Sequence, residues 1–107
     1  MGLIYYGNFP DPIEIDDRTL AHLKVVIATK LRRNESFTLS WRHHGTAEPG
    51  RSTLWLHPSI PLRFVFDEQE APQLSQQWLT ELSTSANTSG GILLTPEHIG
   101  PAEARQS

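Results

Sequence analysis

The sequence predicts an α+β fold: a two-layer sandwich with a mostly antiparallel sheet, two helices on one face, and the order ββαβββαβ. Three observations predict it. Residues 18–33 carry Leu20, Leu23, Ile27 and Leu31 at helical spacing. Residues 37–66 hold three runs that alternate apolar and polar side chains. Beyond an acidic linker, Leu74, Trp78, Leu82 and Ala86 fall at four-residue steps and mark a second helix.

Taken in order, Leu3 to Tyr6 is a short β-rich run ended by Gly7-Asn8, and Pro10-Asp11-Pro12 marks the turn into Ile13-Glu14-Ile15, so a hairpin is expected. Asp16 or Asp17 is the natural N-cap of the first helix, because its carboxylate accepts from free backbone N–H groups. Val26 and Ala28 widen the apolar stripe, Arg18, His22, Thr29 and Arg33 lie on another face with Lys30 beside them, and Asn34 is the expected stop. Phe37, Leu39 and Trp41 form the apolar side of the next strand, Leu54 and Leu56 that of its successor, and Leu62, Phe64 and Phe66 that of a third. Short connections between them favour an antiparallel meander. Residues 67–72 are a linker, Gly90-Gly91 ends the second helix, and Ile92-Leu93-Leu94 forms the last strand. The expected core comprises these inward residues with Ile4, Ile15, the helix-one stripe, Trp78 and Leu82. Residues 1–95 read as a single domain and residues 96–107 as a frayed tail.

Composition narrows the function classes. The 107 residues are 37% hydrophobic and 20% charged, ordinary for a globular chain, and the net charge of −3 gives the whole no attraction for nucleic acid or anionic lipid. There is no cysteine, hence no disulfide, thiolate metal site or cysteine nucleophile, which fits a cytoplasmic protein. No apolar run approaches the roughly 20 residues that span a bilayer, so no membrane partner is expected. The N-terminal run lacks the positive region of a signal peptide.

Strand phase singles out one candidate surface. If Leu54 and Leu56 point inward, Trp55 points outward, because a one-residue slip exchanges the faces. Arg42, His57 and Arg63 fall on outward positions too. An exposed indole among cations clasps a partner's side chain or stacks on a base, the latter worth about 1–3 kcal/mol. The plainer reading is cross-strand packing. The leading expectation is a non-enzymatic binding module whose partner is a protein or a second copy of the chain.

The alternative is a DNA- or RNA-binding accessory role. Residues 18–33 hold five of the nine Lys and Arg, and Arg18, His22, Lys30 and Arg33 are positioned to meet phosphates. The plainer reading is a solvated face whose end charges complement the helix dipole. His43-His44 carries no metal motif around it, no G-x-S-x-G elbow or phosphate loop is present, and neither metal nor cofactor is expected.

The stretches LIYYG, IEIDDRTLAHLKVVIATKLRRNESFTLSWR, GRSTLWLHPSIPLRFVF and SANTSGG resemble a family of short uncharacterised actinobacterial proteins, over about residues 1–95. Such proteins often carry the label "ATP-dependent DNA ligase", and the resemblance implies at most a role near DNA metabolism. A ligase of that class takes AMP on the lysine of a K-x-D-G motif. Here Lys24 precedes Val-Val-Ile and Lys30 precedes Leu-Arg-Arg, so the motif is missing.

Overall fold

The structure, a computed structural model, describes residues 1–42 and 50–94. The strands are β1 (Gly2–Tyr6), β2 (Ile13–Ile15), β3 (Phe37–Arg42), β4 (Arg51–Leu56), β5 (Leu62–Val65) and β6 (Ile92–Leu94); the helices are α1 (Asp17–Arg32) and α2 (Gln76–Ala86). The α+β class and the order ββαβββαβ are those predicted. The His43-His44 pair and the tail 96–107 lie outside the described residues.

The described strands divide into two three-stranded sheets, β2-β1-β5 and β4-β3-β6. Their pairings are antiparallel except for the parallel β3–β6 pair. The meander expected for β3, β4 and β5 is therefore corrected: β5 leaves β4 and pairs with β1, setting Phe64 beside Ile4. The connection explains the departure. A turn closed by Ile60 N–H on the His57 carbonyl, with Pro58 inside it and Pro61 just after it, bends the chain away from β4. The N–H of Gly7 then bonds the Pro61 carbonyl and fastens the end of β1 to the start of β5.

Helix α1 begins where the carboxylate of Asp16 accepts the N–H of Thr19 at 3.1 Å. It ends in a Schellman turn: Asn34 takes φ +60°, its N–H bonds the Leu31 carbonyl, and the N–H of Glu35 bonds the Lys30 carbonyl. Helix α2 has Ser75 as its cap, one residue after Leu74, and ends at Ala86. Gly91 has a different duty from the stop expected of it. It adopts φ +66°, and a side chain there would collide with Thr38 Oγ1 and the Thr38 carbonyl, so glycine lets β6 come alongside β3.

The two sheets and both helices close on one core built from Ile4, Ile15, Leu20, Leu23, Val26, Ile27, Phe37, Leu39 and Leu56. Leu82, Ala86, Ile92 and Leu94 complete it, whereas Leu31, Trp41, Leu54, Leu62, Phe64, Phe66 and Trp78 pack half-buried around it. The helices lie alongside each other in the same direction. His22, early in α1, meets the N-cap of α2, and Lys30, late in α1, meets its C-cap Asn87.

Candidate functional site

Strand β4 puts Leu56 into the core and turns Trp55 outward, as its phase predicts; Trp55 is 52% exposed. Trp55 lies opposite Thr38 across the β3–β4 ladder, and its carbonyl accepts the Tyr6 hydroxyl at 2.6 Å. Tyr6 belongs to the other sheet, so the strand carrying the indole is fixed from both sides.

Of the other three residues of the predicted surface, Arg42 and Arg63 lie away from Trp55, and His57 follows it by two residues. Arg42 sits on the same sheet, four residues beyond Thr38, or roughly 13 Å along the strand, where it faces Arg51. Arg63 lies on the other sheet, its guanidinium 5.4 Å from the centre of the Tyr5 ring. His57 is held in its own turn, with Nδ1 accepting the N–H of Ser59 and lying 2.8 Å from the Ser59 hydroxyl. Leu93 joins the face instead: it lies on β6 beside Ser40 and is 64% exposed.

What Trp55 does border is a groove of about 460 Å³ between the end of β4, the α1–β3 connection and the C-terminal end of α2. Its polar centre is Lys30. The ammonium donates to Glu35 Oε1 at 2.9 Å and to Asn87 Oδ1, and the side chain is only 9% exposed. Glu35 is brought there by the Schellman turn, which folds the chain back over the last turn of α1. The ammonium holds the Glu35 carboxyl below its ordinary pKa, chiefly through their hydrogen bond. Hydroxyls of Ser36, Thr38 and Ser89 also line the groove.

Lys30 and His22 were expected on a solvent-facing side of α1, and both are buried. They share a helix column with Thr19 and Val26, and α2 covers it. His22 is wholly enclosed. Its Nε2 accepts the N–H of Ser75 at 2.8 Å, so Nδ1 carries the hydrogen it donates to the Arg18 carbonyl at 2.6 Å. The imidazole is thus neutral, and its ring lies 4.2 Å from that of Trp78. Arg18 reaches the same segment, bonding the Gln73 carbonyl and lying over Trp78 at 5.5 Å. Arg33 caps the end of α1 and is exposed. The basic helix residues are thus separated into two clamps on α2 and a few outlying charges.

Glu35 and Asn87 were missed from sequence. The Asn34 stop was a usable signal for Glu35, since a residue after a left-handed C′ position returns over the final turn. Nothing local marks Asn87, whose meeting with Lys30 depends on how α2 docks. Among the described residues no three His, Cys, Asp or Glu side chains converge as a metal site requires. No described helix is long and apolar enough to cross a membrane.

A family model described as "Domain of unknown function (DUF7882)" matches residues 1–97. No curated protein and no solved structure matches the chain.

Proposed function

The chain belongs to the family of the domain of unknown function DUF7882, and we propose that it is a non-enzymatic binding module whose ligand seats against Trp55. One observation carries this reading: an indole held on a paired strand stays 52% exposed beside a groove of about 460 Å³. Burying a large aromatic side chain contributes about 1.5–3 kcal/mol, so a fold that leaves one outside forgoes that gain unless a ligand supplies it. Trp is also among the side chains most enriched where a few residues dominate contact energies.

The charges favour this reading over a phosphate track along α1. Of the four residues such a track would use, His22 is enclosed between partners within the chain and the charge of Lys30 is matched by Glu35. Arg18 and Arg33 stand at opposite ends of the helix, about 22 Å apart at 1.5 Å per residue. An AMP-transferring role has little support in either of the two lysines. The Lys24 ammonium lies 5.8 Å from the Phe66 ring centre, and Lys30 is paired with Glu35. The cysteine-free composition fits a place of action in the cytoplasm.

Fragment screening by ¹H–¹⁵N NMR tests the proposal while the ligand is still unidentified. A mixed library of sugars, nucleosides, short peptides and aromatic fragments should shift the Trp55 indole and the Thr38 and Ser89 amides before other signals. Hits that cluster elsewhere, or none at millimolar concentration, would overturn it.

A further inference from the structure

The polar groups beside Trp55 are matched in charge but unsaturated in hydrogen bonds, and that combination selects among ligand classes. Lys30 and Glu35 neutralise each other at 2.9 Å. An anionic ligand would have to compete with a carboxylate already in place, so a phosphate gains little there. The hydrogen-bonding capacity is not exhausted. An ammonium has three donors, and Glu35 and Asn87 occupy two of Lys30's. A carboxylate has about four acceptor positions, and Lys30 fills one on Glu35. The Asn87 amide brings two further donors, while Ser36 and Ser89 bring hydroxyls that donate and accept.

We propose that this groove binds a neutral polyhydroxylated ligand, a sugar ring, with one face of the ring against the Trp55 indole. This deepens the binding-module reading and rests on it. The C–H groups on a sugar face carry slight positive charge and are attracted to the negative face of an indole. The hydroxyls of the ring each donate and accept, which matches a wall of closely set donors and acceptors better than any purely anionic or purely apolar ligand would. Lys30 is largely withdrawn from water, which strengthens each bond it makes. The volume of about 460 Å³ falls in the range of small-molecule sites and has room for a sugar ring with its substituents. A second groove of about 440 Å³ is the more apolar of the two, with Tyr6, Phe9 and Trp41 beside Asp11, Ser52 and Thr53, and it has no ammonium to match its carboxylate.

Saturation-transfer NMR with cellobiose, maltose and N,N′-diacetylchitobiose tests the assignment, with adenosine and AMP as the comparison. At least one of the sugars should receive magnetisation and shift the Trp55 indole signal, and AMP should bind no better than adenosine. Trp55→Ala should weaken sugar binding about tenfold, the loss expected of an aromatic contact, whereas Trp55→Phe should keep most of it; circular dichroism of each variant confirms the fold. Absence of all three sugars from the Trp55 groove overturns the proposal, as does AMP binding there more tightly than any sugar. If other fragments shift Trp55 while the sugars do not, the ligand class is wrong and the binding-module reading stands. If nothing shifts Trp55, both fall.

Discussion

The Tyr6 hydroxyl donates to the main-chain carbonyl of Trp55 at 2.6 Å, across the boundary between the two sheets. That carbonyl belongs to an edge strand, and such groups otherwise go to water or to another chain. The bond therefore both closes part of an edge and fixes the height at which the indole stands. Tyr6→Phe removes the donor and keeps the ring. It should lower stability by about 1 kcal/mol, a typical net value for one such bond, seen as a lower denaturant midpoint with an unchanged slope. The Trp55 indole resonance should broaden or shift in the same variant. An unaltered indole signal would show that β4 is held without this contact.

His22 stands between two helix ends, with its acceptor nitrogen on Ser75 and its donor on the Arg18 carbonyl. Ser75 is itself the cap of α2, its hydroxyl accepting the N–H of Trp78 at 3.2 Å. His22→Ala strips the half-buried Ser75 N–H of its partner and leaves a cavity beside Trp78. The expected cost is about 2–4 kcal/mol, read by urea unfolding, with faster amide exchange at Ser75 and Trp78 than elsewhere. If Arg18→Ala and His22→Ala are equally mild, the clamp at this end contributes little.

The Lys30–Glu35 pair makes stability depend on pH in a defined direction. Glu35 has its pKa lowered from an ordinary value of 4.5, with the Lys30 hydrogen bond as the largest cause. Between that value and the depressed one, the unfolded chain binds more protons, so stability rises with pH. The contribution is present above about 4.5 and is lost as the pH falls through the lowered value. Glu35→Gln should accordingly melt below the wild type at neutral pH, and the gap should narrow as the buffer is acidified below 4.5. Added salt should narrow it as well, because the carboxylate is partly exposed. A gap that stays constant with pH would remove the pair from the account.

Periodicity exposed the elements here because it is a property of the backbone. A helix returns a side chain to one face every 3.6 residues and a strand every two, so the Leu20–Leu31 stripe and the Leu54–Trp55–Leu56 alternation were legible before any contact was known. Asn34 was legible for the same local reason, since few residues besides glycine adopt φ +60° readily. The partner of a strand has no such signature. Leu62 and Phe64 alternate identically whether they face β4 or β1, and the kinked Pro58–Pro61 connection together with burial against Ile4 settles the choice.

The groove shows the same division. That Trp55 faces outward followed from strand phase alone. That it borders Lys30, Glu35 and Asn87 did not, because those residues are 20 or more positions away along the chain. Lys30 and His22 read as solvated charges on a helix wheel, which records the angle of a side chain but not what packs against it. The docking of α2 buries both, and it supplies Ser75 and Asn87 as the partners that make buried polar groups tolerable.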